Sequence, residues 1–484
     1  MRKMKKTFLT ISVLGFLLFL SCKKEKDLLN PVPQTSIPFA DAFKTPERVL
    51  GLVNGIYAGL KDPQFYGGKY VMYGDFRGEE FINRTANIFT GYATWSFTLN
   101  SSSNEVQNLW AAAYTTINLA NVFMQGLSDN SAKVTPQLFA QYTAEAKFLR
   151  ALSYFSLVTI YANPYVEDNG ASKGLPLRLK AETTTAGNDL ARSSVAEVYA
   201  QILMDLDSAE ANLPVSYGTD LLNTTRAHRN TAIALKTRVY LNMGDYTKAI
   251  EEAKKLVPDA PPYKAATGVP NQLQSDIKVV FNTNYTTTES IFSMPMTTLN
   301  SSTGQNALGY IFNAAPTGNA EYSLNPLGIT GNTGWSAADS RRSFITTSGG
   351  AAFLKKYNQP SPYTDYVPVI RYAEVLLNYA EAAARMGDLS RATDLLNAVR
   401  HRSDAAYSFP TNAIATADSL VATILTERRI ELLGEGFRSN DLLRNLLTIP
   451  AKGSSSLTAP AVPPSDPAYI FPLPNSEIVT NKLL

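Results

Sequence analysis

Closely spaced carboxylates near the carboxyl end of the chain are the residues best suited to acid–base chemistry. They are Glu427, Glu431, Glu435 and Asp441. A pair of such groups could serve as the acid and base of an all-helical glycoside hydrolase. Arginines lie three positions away on the same pattern: Arg428 from Glu431, and Arg438 and Arg444 from Asp441. On a helix these positions are neighbours, and cations lower the pKa of a carboxyl group, which is wrong for a general acid.

The charged motif therefore predicts a salt-bridged helical scaffold, and we expect no enzymatic activity. A preceding segment has the same character and predicts packing and ion-pair positions at Arg371, Glu374, Asn378 and Glu381. No nucleophile motif and no glycine-rich phosphate loop competes with this interpretation. The two histidines, His228 and His401, lie far apart, and the chain has one cysteine, so we expect neither a metal site nor a cofactor.

Aromatic residues in polar, glycine-containing segments are the candidates for ligand binding, because sugar rings stack their C–H faces on exposed aromatic rings. The candidate binding residues are Tyr66, Tyr70, Tyr73, Trp95, Tyr310, Tyr322 and Trp335. Trp110 differs, since its helical surroundings predict a core position. Burial is the alternative for each candidate, and exposure of Trp95 and Trp335 separates the two outcomes.

The first residues have the plan of a secretory signal. Four basic residues lie among the first six, and an uncharged apolar run from Phe8 to Leu20 follows. We expect residues 1–21 to be a signal peptide and Cys22 to carry the lipid of a bacterial lipoprotein, with residues 22–40 as anchor and extended linker. The alternative is a free thiol beside an uncleaved anchor. Without residues 1–21 the formal charge changes from +3 to −1, from 40 Lys and Arg against 41 Asp and Glu, which gives no reason to expect a nucleic-acid partner.

The rest of the chain predicts a mostly α fold with long loop-rich segments and minor β structure. Helical patterns cover 104–127, 136–162, 193–213, 228–257, 368–400 and 415–447, and a further helix begins at Thr45-Pro46. "NMGDYTKAIEEA" from Asn242 and "RMGDLSRATDLL" from Arg385 resemble each other, with Gly244 and Gly387 at the helix-to-helix turns. Such hairpins predict a tetratricopeptide-like scaffold, and chance similarity is the alternative.

Between the helices lie irregular segments at 62–103, 163–192, 258–367 and 448–484, with a strand predicted in "ESIFSMPM". The proline-rich tail predicts an ordered strap over the body. We divide the mature chain into 41–257 and 258–484, the second comprising loop-rich 258–367, helical 368–447 and the tail 448–484, all packed as one globular unit.

Seven motifs follow one another along the chain: "VNGIYAGL" (53–60), "LWAAAYTTINLANVF" (109–123), "AEAKFLRALSYFSLVTIYANPY" (144–165), "DSRRSF" (339–344), "FLKKY" (353–357), "RYAEVLLNYAEAAAR" (371–385) and "ILTERRIELLGEGFRSNDLLR" (424–444). Together they resemble the SusD/RagB family of Bacteroidetes.

The residues on both sides of Cys22 depart from the usual lipoprotein pattern. Before it, Phe19 and Leu20 precede Ser21, and after it, the segment from Lys23 to Asp27 is more basic than the acidic signal for surface export.

The resemblance implies a lipid-anchored protein of the outer membrane, facing outward, with a tetratricopeptide scaffold. It implies capture of a glycan and its delivery to a SusC-like TonB-dependent transporter. The family's binding residues vary, so only the neighbourhood of the site is implied. Oligopeptide capture by the same mechanism, a surface glycoside hydrolase and a pure protein-interaction scaffold are the alternatives, the last being favoured if the aromatic residues are buried.

Overall fold

The protein is described from a computed structural model, which covers residues 39–184, 186–282 and 285–484. The predicted signal peptide 1–21 and Cys22 lie outside these residues, as does most of the predicted linker. The linker's last two positions, 39 and 40, begin a short helix instead of an extended segment.

The described residues form many helices and a few short strands, as predicted. The helices are α1 Phe39–Ala42, α2 Pro46–Leu60, α3 Lys69–Phe76, α4 Tyr92–Ser96, α5 Asn104–Asp129, α6 Pro136–Tyr161, α7 Tyr165–Asp168, α8 Val195–Asn212, α9 Asp220–Thr225, α10 Arg229–Met243, α11 Tyr246–Lys254, α12 Leu308–Phe312, α13 Tyr372–Arg385, α14 Leu389–Ser403, α15 Ala417–Glu431, α16 Arg438–Leu443 and α17 Asn475–Thr480. The strands are β1 Phe81–Asn83, β2 Ser290–Met294, β3 Tyr322–Leu324, β4 Ile345–Ser348, β5 Ala351–Leu354, β6 Val367–Arg371, β7 Lys452–Gly453 and β8 Thr458–Ala459.

The long helices pack in sequence against one another. Helix α5 packs on α6, α6 on α8, α8 on α10, and the hairpin α10–α11 on the hairpin α13–α14 through α13. Gly244 and Gly387 have positive φ angles of 71° and 85°, which a glycine adopts without strain. Ala249 and Ala392, one in each second helix, are fully buried and let the paired helices approach closely.

The strands pair only in antiparallel twos among the described residues: β1–β3, β2–β6, β4–β5 and β7–β8. The strand predicted in "ESIFSMPM" is confirmed as β2. Residues 368–371 belong to β6 and not to a helix, so the prediction of helix there was wrong. Backbone pairing with β2, which the residues of one segment do not reveal, overrides the local helical pattern.

One apolar core runs from Ala42 to Phe471 and draws on both predicted regions. The tail lies over the body as predicted, with Phe471 packed on Tyr73 and Tyr161 and with the side chain of Asn481 bonded to the carbonyl of Leu190 over 2.8 Å. The division into regions at residue 257 stays a prediction.

Candidate functional site

Glu431 is the centre of the charged motif, and it lies inside the protein. Its carboxylate accepts hydrogen bonds from Arg341 over 3.0 Å, Arg371 over 2.9 Å and Arg402 over 2.6 Å. Burial acts to raise the pKa of Glu431, but the three guanidinium groups outweigh it and hold that pKa well below its usual range. A carboxylate fixed in this way cannot supply a proton as a general acid.

The other carboxylates of the motif are also buried and paired. Glu435 accepts from Arg371 and Lys356, Glu427 accepts from Arg341 and Arg400, and Asp441 accepts from Arg428 and Arg444. Burial acts to raise the pKa of Asp441, but the two arginines lower it to about 2. The predicted ion pairing is therefore confirmed.

Two of the ion-pair partners expected from the spacing were wrong. Arg428 donates to Asp441 and not to Glu431, and Arg438 donates to Glu79 over 2.9 Å. The motif lies in the interior, where arginines from distant segments reach it, so local spacing does not select the partners. On α13 the predicted ion-pair positions are confirmed, with Glu374 bonded to Arg238 over 2.6 Å.

Five of the seven candidate aromatic side chains are buried, so the expectation of exposed stacking surfaces was wrong for them. Their exposed fractions are 2% for Tyr66, 2% for Tyr73, 0% for Trp95, 0% for Tyr322 and 3% for Trp335.

Each buried ring has interior contacts that account for its position. Trp95 Nε1 donates to the carbonyl of Phe81 over 2.8 Å, and the Tyr66 hydroxyl lies 3.0 Å from Ser156 Oγ. The ring of Tyr322 stacks on that of Phe76 with centroids 3.8 Å apart. Tyr73 packs on Phe471, and the Arg342 guanidinium covers Trp335 at 4.5 Å from the ring centroid. Composition alone does not reveal that these polar segments fold inward.

Tyr70 and Tyr310 are half-buried. Tyr70 packs on Tyr66 with centroids 4.8 Å apart and lines a cavity of about 20 Å³, which has room for a water molecule and no sugar. Tyr310 lies edge-on to Tyr363 with centroids 6.1 Å apart, on a surface built by several loops. Of the candidates, Tyr310 is thus the one that the fold brings to a loop surface.

Four loop segments that are far apart in sequence meet on this surface, which we call the loop face: residues 84–92, 297–310, 315–321 and 358–366. Pairing of β1 with β3 brings the first and third together, and the Thr85 and Thr90 hydroxyls both donate to Glu321. Ser301 donates to the carbonyl of Pro362 over 2.6 Å. The loop face therefore unites the two aromatic-bearing regions that the sequence singled out separately.

A buried lysine ties two of these segments together. Lys69, on α3, donates to the carbonyl oxygens of Phe89 over 2.8 Å and Gln305 over 2.9 Å. Burial lowers the pKa of Lys69 to about 8, although Glu105 and Glu321 act to raise it. The two loops thus share one interior cation.

The loop face presents apolar and aromatic groups among hydrogen-bonding side chains. Ile88 is 64% exposed and Phe89 is 62% exposed, and half-buried Tyr92 follows them. Exposed Asn319 and half-buried Gln305 lie on the neighbouring segments. An exposed aromatic ring beside amide groups can hold the C–H face and the hydroxyls of a sugar.

The sequence prediction missed Ile88 and Phe89. The available signal was Asn87, which directly precedes them. Its Oδ1 accepts a hydrogen bond from the backbone N–H of Phe89 over 2.9 Å. An asparagine that bonds its own chain in this way marks a tight turn, and a turn presents its next side chains outward.

None of the helices in the described ranges is long and apolar enough to cross a membrane. In the same ranges no three or more His, Cys, Asp or Glu side chains are grouped so as to hold a metal ion.

Comparison with known sequences identifies related proteins over the whole of this fold. The profile of the SusD family matches residues 230–484, and a profile described as "Starch-binding associating with outer membrane" matches residues 40–241. SusD-like protein P2 of Formosa agariphila is 26% identical over 494 residues, which cover 91% of this chain and 92% of that protein. SusD-like protein P38 of the same organism is 25% identical, with 92% of each chain covered.

Solved structures agree with this assignment. A SusD superfamily protein from Bacteroides fragilis is 31% identical, with a TM-score of 0.83 and coverage of 92% of this chain and 100% of that one. A laminarin-binding SusD-like protein has a TM-score of 0.69 at 21% identity, with coverage of 91% and 99%, and its likeness concerns the fold. Because one family profile spans more than half of the sequence and a solved relative shares its fold over nearly the whole described length, this chain belongs to the SusD family.

Proposed function

We propose that the protein captures a glycan on the loop face, without catalysis, and delivers it to a SusC-like TonB-dependent transporter of the outer membrane. The observation that carries the proposal is that four loop segments meet on one face, which includes exposed Phe89 and Ile88. Neighbouring exposed apolar side chains that are rimmed by polar groups can form a ligand-binding surface. Half-buried Tyr310 and Tyr92 extend the same face.

The choice of a glycan rests on the chemistry of the face and on relatives. Amide side chains such as Gln305 and Asn319 both donate and accept hydrogen bonds, as sugar hydroxyls require. The laminarin-binding relative is an example of this fold holding a polysaccharide, and the profile over residues 40–241 carries starch binding in its description.

The absence of catalysis is part of the proposal, and the state of the conspicuous carboxylates supports it. Glu431 and Asp441 are 0% and 3% exposed, and arginines keep the pKa of each below its usual range. A glycosidase needs one carboxyl group that reaches the substrate with a raised pKa. Neither carboxylate meets that requirement.

The membrane anchor and the transporter are inferred from the sequence and the family. Cys22, after the apolar run that ends at Leu20, would carry the lipid, and the helical hairpins would act as degenerate tetratricopeptide repeats. The protein would then lie on the outer surface of the cell and close as a lid over the transporter, with the glycan held on the loop face.

Binding to a panel of polysaccharides that includes laminarin and starch, measured by calorimetry, tests the proposal. Phe89→Ala should lower the affinity for the glycan about tenfold, which corresponds to roughly 1.4 kcal/mol for one lost ring contact. Met204→Ala is the matched control, since Met204 is 63% exposed on α8 and lies outside the loop face. The panel should include oligopeptides. Peptide binding that is lost in Phe89→Ala, without glycan binding, would favour the alternative that the protein captures oligopeptides.

A protein-interaction scaffold is the second candidate, and the burial of Trp95 and Trp335 favours it. In that case Ile88 and Phe89 would contact a protein partner. The two candidates differ in one measurement: a scaffold binds no member of the panel, and Phe89→Ala then weakens only the association with the co-expressed transporter.

A further inference from the structure

A second cavity lies away from the loop face, between the segment after α4 and the tail. Its volume is about 290 Å³, near the lower end of ligand pockets, which span roughly 300–1,000 Å³. The walls are mostly apolar and include Phe97, Leu99 and Pro467. Two charged side chains, Arg77 and Asp466, also line it.

Arg77 is a buried cation without a carboxylate partner among the described residues. It is 3% exposed, and its Nη2 donates to the carbonyl oxygens of Ala468 over 2.9 Å and Tyr469 over 2.5 Å. Its Nε and Nη1 make no hydrogen bond to the described part of the chain. Burial lowers the pKa of Arg77 to about 10, so the guanidinium still carries its charge at neutral pH. A buried charge is costly unless it is paired, so this group is suited to an incoming anion.

A second buried basic side chain lies on the same aromatic ring. Lys452 Nζ is 4.8 Å from the centroid of Phe97, and the Arg77 guanidinium carbon is 5.4 Å from it. Lys452 donates to the carbonyl oxygens of Phe76 and Gly78, and it forms no ion pair with a described carboxylate. The half-buried Asp466 is the acidic group that lines the cavity, and its Oδ1 accepts from the N–H of Ala468.

We propose that this cavity binds a single uronic acid ring, as the free sugar or as a residue of an acidic glycan. The carboxylate would lie on Arg77, the C–H face would pack against the apolar wall that includes Phe97 and Leu99, and a hydroxyl would donate to Asp466. The choice of a sugar rests on the proposed glycan capture, but no residue of the loop face takes part. A neutral sugar would leave Arg77 without its counter-charge, so the site should distinguish the two.

Titration with sodium glucuronate, followed by saturation-transfer NMR and calorimetry, tests the proposal, with glucose as the neutral counterpart. Arg77 holds the tail through two carbonyls, so its substitution risks unfolding the segment. Leu99→Trp instead fills the cavity and leaves Arg77 in place. Met204→Trp is the control for adding an indole at a 63% exposed position.

We expect the wild-type protein to bind glucuronate at least tenfold more tightly than glucose. The affinity for glucuronate should fall at least tenfold in Leu99→Trp and stay unchanged in Met204→Trp and Phe89→Ala. Failure of glucuronate to bind, equal affinity for glucose, or undiminished affinity in Leu99→Trp overturns the assignment. If Phe89→Ala loses polysaccharide binding while Leu99→Trp leaves the affinity for glucuronate unchanged, the proposed uronic acid site is wrong and the proposed function stands. If glucuronate binds but no polysaccharide binds at the loop face, the proposed function is wrong and the uronic acid site stands.

Discussion

Lys69 Nζ donates a hydrogen bond to the backbone carbonyl of Phe89 over 2.8 Å, from a side chain that is almost entirely removed from solvent. Phe89 itself is 62% exposed, so an interior cation holds the backbone beneath an exposed aromatic ring. The same ammonium group holds Gln305 on the neighbouring loop. The position of the proposed binding surface therefore depends on a residue that no ligand touches.

Substitution of Lys69 by Met keeps most of the side-chain volume and removes the donors. We expect Lys69→Met to loosen both loops and to weaken glycan binding about tenfold, because a pre-formed site avoids the cost of ordering loops on binding. Calorimetry gives the affinity, and hydrogen exchange should become faster at residues 88–90 and 304–306. Lys278→Met is the control, since that lysine is half-exposed. Unchanged affinity and exchange would show that the loops hold their places without Lys69.

The pH dependence of stability should report the buried state of Lys69. The pKa of this lysine is lowered to about 8 by burial, from 10.5. Between these values the unfolded chain binds the proton and the folded chain does not, so the cost of burying the cation is relieved as the pH rises. The wild type should therefore gain about 2 kcal/mol of unfolding free energy relative to Lys69→Met between roughly pH 7.5 and pH 9.5. Urea unfolding at both values measures it, and parallel curves for the two proteins would contradict the low pKa.

Sequence periodicity predicted the helical scaffold well because long amphipathic patterns and capping residues act locally. The side chain of Thr45 accepts from the N–H of Arg48 and Pro46 opens α2, as the sequence predicted. The glycine turns at Gly244 and Gly387 are equally local features. Residues 368–371 were assigned to a helix, since only the distant strand β2 makes them a strand.

The candidate site was predicted less well, because exposure is decided by contacts between distant segments. Trp95 is covered after β1 and α4 fold together, and Tyr322 stacks on Phe76, which lies far away in the sequence. The prediction missed Phe89, although the asparagine turn at Asn87 was a local signal of its exposure. The sequence located the neighbourhood of the loop face but not the side chains that face solvent.

Replacement of Glu431 by Gln should destabilise the fold without touching the ligand. The substitution removes one charge from among three buried arginines, and breaking such a buried network costs about 3–5 kcal/mol. Urea unfolding at neutral pH measures the loss. Glu251→Gln is the control, because Glu251 is half-exposed and pairs with the half-exposed Lys248, so its loss should cost about 0.5 kcal/mol or less.

Glycan affinity of the folded Glu431→Gln protein should equal that of the wild type, since Glu431 lies in the interior and not on the loop face. The same protein also tests the hydrolase alternative. Turnover of any polysaccharide by the wild type, lost in folded Glu431→Gln, would make this carboxylate catalytic and overturn the non-catalytic proposal.

Acid should destabilise the fold through His228, the residue before α10. This imidazole is fully buried, lies 3.3 Å from the carbonyl oxygen of Ile291, and has its pKa lowered to about 4 by burial. Its ordinary pKa of 6.5 applies when the chain unfolds, so between those values the unfolded state binds the proton and stability falls as the pH falls. From about pH 7 to about pH 4.5 the loss from this residue should be about 2 kcal/mol. The carboxylates also titrate in this range, but they contribute equally to the wild type and to His228→Asn, so comparing the two proteins isolates His228. The variant should be less stable at neutral pH, but its further loss of unfolding free energy in acid should be about 2 kcal/mol smaller than that of the wild type. Equal losses in the two proteins would place the pKa of His228 near its ordinary value.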